Sequence, residues 1–317
     1  MAKPRNKVLD SLQYLGLRVF EMVVHMFDVE TNYRTCRAIC HAIWWLGRRW
    51  SKAARFEQRA CAHLRRSFPD WPEEDIQRVA KASLRNFLYV GLEVLFTTRL
   101  ITPARWRRHV TLENQAENIR LMLRRDRPLV YVTGHFGNWE VVGYTMAALG
   151  FPNVAVARPL DNPLVSRYIY GIRQKRGLTI LDKKGIARRA ADLLEGNGSL
   201  SFIADQDAGR KGCFVDFFGR KASTYKSIAL LAMRYEAPVL VGYGRRLDEG
   251  FHFAIGIQRI IHPREWAGRD DPMTWLTQEY TSVLEQAIRT APEQYLWTHR
   301  RWKHRPKGEP QPADGIA

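Results

Sequence analysis

The sequence predicts an α/β fold: a mixed, mostly parallel sheet flanked by helices and preceded by a helical N-terminal region. Three observations predict it. Beyond about residue 110, short runs of β-branched and aromatic residues alternate with longer helical stretches, the pattern of a sheet covered on both faces. The unit Pro128-Leu129-Val130-Tyr131-Val132-Thr133-Gly134-His135 reads as a buried strand that passes through glycine into an apolar helix at 139–149, ended by Gly150. Before residue 106 the chain carries only helical periodicity.

The first helix is expected over residues 8–27. Ser11, Arg18, Glu21, His25 and Asp28 form a narrow polar stripe, and Leu12, Leu15, Val19, Phe20, Met22, Val23, Met26 and Phe27 cover the rest. So broad an apolar face suits a membrane interface, although charged residues near its middle argue against a span. The same stripe could face water while the helix packs on the protein. A second helix carries Cys36, Ile39, Cys40, Ile43 and Trp44 at core spacing, ending in Gly47-Arg48-Arg49-Trp50. Ser51 can cap a third, and Asp70-Trp71-Pro72-Glu73-Glu74 starts a fourth whose core face is Ile76, Val79, Leu84, Phe87 and Leu88.

Next come a strand at 110–112, a helix at 113–125, the strand at 129–132, strands at 154–157, 178–181 and 200–204, and helices at 164–173 and 186–194 between them. A helix at 227–235, a strand at 239–243, an antiparallel pair around 251–261 and a late helix at 272–289 complete the order. This gives a helical membrane-docking region at 1–105, an α/β domain at 106–305 and a disordered polar tail at 306–317.

The formal charge of +18 calls for an anionic partner. No RNP sequence, zinc-finger spacing or Gly-rich phosphate loop accompanies it, so a membrane or lipid partner is favoured over nucleic acid. Cys36, Cys40, Cys61 and Cys213 lack the spacing of a zinc site or a disulfide framework and are expected as buried free thiols. No small-residue cleavage site follows the first apolar stretch, so no signal peptide is expected.

His135 falls at the strand-to-helix junction, and Glu140 follows five residues on. Within one continuous helix that spacing would turn about 500° and part the side chains. With His135 in a turn relaxed by Gly134 and Gly137, the ring can instead fold back onto Glu140 in the first helical turn. The carboxylate would then accept from Nδ1–H and leave Nε2 as a general base for a hydroxyl. The competing reading is a histidine that caps the helix beside a solvated acid. Asp205 and Asp207 end an apolar strand, where open α/β sheets present functional groups, and could orient an arginine or, less readily, bind a metal. There is no G-x-S-x-G elbow and no cysteine with a motif-fixed histidine, so no covalent acyl-enzyme is indicated.

Gly134-His135-Phe136-Gly137-Asn138-Trp139-Glu140 resembles the H-x4-D/E motif of glycerolipid-type acyltransferases, in the Gly-Asn-Trp-Glu form of the bacterial lipid A late acyltransferases. Arg158-Pro159-Leu160-Asp161-Asn162-Pro163, the Asp205-Gln206-Asp207 segment with Gly219 and Ala222-Ser223-Thr224, and the run from Leu296 to Lys303 resemble further segments of that family in the same order. The resemblance implies that His135 and Glu140 are the catalytic pair, and that Arg158, Arg173 and Asp205 bind substrate. It implies no metal and no cofactor beyond a thioester of acyl carrier protein or coenzyme A as co-substrate. The acceptor would be a phosphorylated lipid, a lipid A precursor or another glycolipid, lysophospholipid or aminolipid. The implied location is the cytoplasmic face of the bacterial inner membrane.

Overall fold

Four helices, α1 (Lys7–His25), α2 (Val29–Gly47), α3 (Ser51–Ser67) and α4 (Glu73–Leu100), open the chain in a computed structural model that describes residues 6–47, 51–151, 153–157, 160–175, 177–182 and 186–309. Asn6 caps α1 by accepting from the amides of Val8 and Leu9. Pro72 precedes α4, whose first turn holds Glu73, Glu74 and Asp75 against the positive helix end.

The side of α1 that meets the protein carries buried Val24 with half-buried Glu21 and His25, while Ser11, Arg18 and Asp28 of the polar stripe stay exposed. Arg18 pairs with Glu21 and lies 5.0 Å from the Tyr168 ring, and His25 meets Phe96 edge-on and accepts from Arg99. The apolar side of α1 faces outward, with Leu12 60%, Met22 61% and Met26 73% exposed. Among the described residues no helix is long and apolar enough to cross a membrane.

The alternating part follows as β1 (Val110–Glu113), α5 (Ala116–Arg124), β2 (Leu129–Thr133), α6 (Trp139–Ala148), β3 (Asn153–Ala157), α7 (Pro163–Gln174), β4 (Leu178–Asp182), α8 (Ile186–Glu195) and β5 (Ser199–Ile203). Then come β6 (Cys213–Phe217), β7 (Arg220–Thr224), α9 (Lys226–Arg234), β8 (Val239–Arg246), β9 (Phe253–Ile261), α10 (Pro263–Trp266) and α11 (Pro272–Thr290). The main sheet has the order β1-β9-β8-β2-β5-β3-β4, and β6 and β7 form a separate hairpin. From β8 to β4 neighbouring strands run parallel; β9 is antiparallel to β8 and parallel to β1. The mixed, mostly parallel sheet is thus as the sequence predicts. Two details differ: the segment at 251–261 supplies one strand that pairs back on β8, and the β6–β7 hairpin carries too few alternating apolar residues to be read beforehand.

Each face of the sheet has its own helical layer. On one, Val130, Val132, Leu200, Val239 and Val241 pack with Ala190 of α8, Ile228 of α9 and Leu276 and Tyr280 of α11. On the other, Leu129, Leu240 and Ile257 meet Leu121 of α5, and Leu178 and Ile180 meet Ala147 of α6 beside Tyr170 of α7. The N-terminal helices share this second side, because Tyr89, Leu92 and Phe96 of α4 enter one core with Val141, Tyr144 and Phe253. After α11 the chain returns through Tyr295, Trp297 and Trp302, all buried with Phe217 and Phe218. The latter two phenylalanines are therefore core. All four cysteines are free, three of them buried.

Candidate active site

β2 and β5 are parallel neighbours in the register Thr133↔Ile203. Two residues beyond that pair, the chain places His135 after one strand and Asp205 after the other. Their meeting follows from that register. His135 Nδ1 lies 2.8 Å from Asp205 Oδ1, and the His135 backbone amide donates to Asp205 Oδ2 at 2.7 Å. Gly134 permits the approach, since a Cβ there would stand 3.3 Å from the Asp205 carboxyl. Gly137 has φ +60, and a Cβ on it would collide with the Gly244 carbonyl at 2.0 Å, so the turn that lifts His135 off the sheet requires glycine.

Asp205 is 4% exposed. Burial by itself raises its pKa, but the His135 ring and the hydrogen bonds from His135 outweigh that and hold the carboxyl below its ordinary range. An ionised carboxylate only accepts, so Nδ1 of the facing ring carries the proton and Nε2 of the neutral ring carries a lone pair. The Gln206 amide nitrogen lies 3.4 Å from Nε2. The Trp139 indole packs edge-on against the imidazole at 4.7 Å.

This geometry corrects the pairing inferred from spacing. Glu140 does sit in the first turn of α6, but its carboxylate is committed elsewhere: Arg173 of α7 donates through Nε at 2.8 Å and Nη2 at 2.5 Å, and the Trp139 indole at 3.1 Å. Burial depresses the Arg173 pKa, yet the Glu140 charge more than offsets it and raises the value. A bidentate guanidinium partner one helix away outcompetes a ring five residues back in the same turn. Asp205, rather than Glu140, orients His135. Arg158 lies outside the described residues, as does the tail beyond residue 309.

Asp207 turns away from Asp205 to His304 Nδ1 at 2.6 Å, while its backbone amide donates to His299 Nε2. Burial pushes His299 down to about 4, so it is neutral at pH 7. Arg301, buried, donates to the Ser223 carbonyl and Thr224 Oγ1 of β7 and to the Gln206 carbonyl after β5, tying the two segments together. The segment after α11 also pairs with the turn that follows β2, because Leu296 N donates to the His135 carbonyl and Gly137 N to the Gln294 carbonyl.

One supporting residue escaped the sequence reading. Glu93, in the middle of α4 and 0% exposed, accepts from Asn138 Nδ2 at 2.6 Å and from the Tyr33 hydroxyl, and forms an ion pair with Arg246 at 2.5 Å. Asn138 in turn caps α6 by accepting from Val141 N. An acid between Leu92 and Leu95, on the apolar face of a helix, was the available signal.

The imidazole opens on a cavity of about 810 Å³ that Trp139, Glu140 and Arg173 also line, with Tyr131, Gly143, Met146 and Ala155 deeper in. The chain therefore combines an oriented base, a bound guanidinium and a large apolar space, a set suited to moving an acyl group onto a hydroxyl.

Comparison with known proteins agrees. A family model described as bacterial lipid A biosynthesis acyltransferase matches residues 3–304. The chain is 30% identical over 268 residues to a lipid A biosynthesis lauroyltransferase of Escherichia coli, covering 81% of this chain and 84% of the relative. It is 28% identical to a lipid A biosynthesis palmitoleoyltransferase of the same organism, covering 75% and 77%. With a lipid A biosynthesis acyltransferase of Haemophilus influenzae it shares 26% over 310 residues, 93% and 91% of the two chains.

Proposed function

Because the chain belongs to the bacterial lipid A biosynthesis acyltransferase family and is an acyltransferase, we propose that it transfers a fatty acyl chain from a thioester of acyl carrier protein or coenzyme A to a hydroxyl of a lipid A precursor. The observation that carries this reading is His135, with Nδ1 fixed by Asp205 and the ring opening on the apolar cavity.

Nε2 removes the hydroxyl proton as the acceptor oxygen bonds to the thioester carbonyl carbon. The tetrahedral adduct then collapses, the C–S bond breaks, and the imidazolium returns the proton to the departing thiolate. Asp205 acts as a positioning residue that fixes the tautomer and steadies the transient cation. Gln206, beside Nε2, is placed to donate to the carbonyl oxygen. Glu140 acts through Arg173, aligning a guanidinium whose Nη1 is not engaged by Glu140 toward an anionic part of the substrate.

α1 would bring the enzyme to its substrate. Its outward apolar side and the +18 charge suit insertion into an anionic bilayer surface such as the cytoplasmic face of the inner membrane.

His135→Ala tests the mechanism in the purified full chain with acyl carrier protein thioester and a lipid A precursor. A loss of roughly 10²–10⁴-fold in kcat is expected, with folding and vesicle binding retained. Turnover within a few-fold of wild type would sink the reading.

A further inference from the structure

α4 meets the turn after β2 through polar side chains. Ser83, Asn86 and Glu93 follow one another at spacings of three and seven, so they share one face of the helix, with Val79 and Val90 in the same row. All five are buried. Polar groups in a buried interface need partners, and here the partners lie in that turn and in the segment after α11. Ser83 Oγ donates to the Tyr295 carbonyl, Asn86 Nδ2 to the carbonyls of Gly137 and Gln294 at 3.2 and 3.0 Å, and Glu93 accepts from Asn138.

Asn86 is the member on which the shape of the turn depends. The peptide joining Gly137 to Asn138 is held at both ends: its carbonyl accepts from Asn86, and its N–H donates to the Gly244 carbonyl at 2.7 Å. Gly137 has φ +60, and glycine, free to populate many conformations, does not hold that peptide by itself. The same Asn86 nitrogen reaches the Gln294 carbonyl, which also accepts from the Gly137 amide. One side-chain amide therefore locks a peptide plane two residues from His135 and ties it to the segment after α11.

The other end of that amide sharpens the point. Asn86 Oδ1 is buried and finds no donor among the described residues. An acceptor left unmet in the interior costs free energy, so what this side chain contributes is its two N–H groups. Asn86 itself lies outside the lining of the cavity beside His135; it borders a separate small cavity with Tyr89 and Arg246.

Resting on the acyl-transfer reading above, we propose that Asn86 is a positioning residue for His135: its side-chain amide fixes the Gly137 peptide, and through it the direction in which the imidazole leaves the sheet. Asp205 must meet the His135 amide and the His135 ring at once. A turn rotated about Gly137 gives up one of those two bonds, and the tautomer is then no longer set. α4 thereby serves the reaction as well as the packing of the sheet.

Two substitutions at one position test this. Asn86→Leu keeps the bulk and removes both donors, whereas Asn86→Ser keeps a hydroxyl that donates one proton and so serves at most one of the two carbonyls. In the purified full chain, with carrier-protein thioester and a lipid A precursor, Asn86→Leu should lose about 10²-fold in kcat and Asn86→Ser about tenfold, the scale on which a small misplacement of a reacting group is felt. KM for each substrate should stay within about threefold of wild type. NMR of histidine-labelled protein reads the same effect without turnover. The Nδ1 proton shared with Asp205, identified by its loss in His135→Gln, should lie far downfield in wild type and be shifted or broadened in Asn86→Leu at a temperature where circular dichroism shows that variant folded. A side chain that only packs would lower Tm and leave both kcat and the resonance in place. The inference falls if Asn86→Leu, or Asn86→Ser where the leucine variant does not fold, keeps kcat within about threefold of wild type or leaves the resonance unmoved. Wild-type protein whose resonance responds to Asn86→Leu but which transfers no acyl group would overturn the acyl-transfer reading and leave the positioning of His135 in force.

Discussion

Asp205 holds His135 by two hydrogen bonds, so its neutral isostere should disable the ring without unfolding the chain. In Asp205→Asn the amide can accept through one atom but offers N–H to the other, and the imidazole is free to take the wrong tautomer. A loss of about 10²–10⁴-fold in kcat is expected, together with a changed acid limb in the pH–rate profile, which a purely structural role would not give. Two other histidines set a stability limit. Burial pushes His63 down to about 3 and His299 to about 4. Each is neutral when folded and takes up a proton more readily when unfolded, where its pKa is about 6.5. Their contribution is complete above that value and is lost as pH falls from about 6.5 toward the folded values. Denaturant unfolding at pH 7.5 and pH 5 should show it. His63→Asn, which keeps a donor for the Trp297 carbonyl, should flatten the difference; an unchanged slope would show that His63 does not contribute.

At the level of elements, the strand before His135 and the helix after it were legible, because a β-branched run, two glycines and an apolar helix follow in order. The partner of His135 was not. Spacing along one chain favoured Glu140, whereas the partner is set by the β2–β5 register, a non-local fact that no local pattern encodes. Glu93 is a second such case: its carboxylate joins α4 to the cap of α6 through Asn138 and to β8 through Arg246. Removing it leaves a buried guanidinium unpaired, so Glu93→Ala should cost about 3–5 kcal/mol in chemical denaturation. α1 behaves oppositely, because its apolar side chains already face outward. Met22→Ser with Leu15→Ser should leave Tm nearly unchanged and weaken co-sedimentation with anionic vesicles by about tenfold per residue, as burial of a large side chain is worth roughly 1.5–3 kcal/mol. A large drop in Tm would mean that this face is packed against protein.

Across the whole molecule, the excess of 50 Lys and Arg over 32 Asp and Glu is a long-range term. It should speed capture of an acidic carrier protein and be screened by salt. Raising NaCl from about 0.05 to 0.5 M should increase KM for the carrier thioester about tenfold with little change in kcat. A salt-insensitive KM would remove electrostatic capture from the account. Fold class was legible at this scale because alternation survives any change of loop detail. The hairpin β6–β7 was not, since Asp216, Arg220 and Lys221 break its apolar rhythm.

The pairing of Leu296 with His135 and of Gln294 with Gly137 ties the turn after β2 to residues near the end of the chain. The turn after β2 is therefore braced by a segment far removed in sequence, and its shape depends on closure of the tertiary structure rather than on the strand and helix beside it.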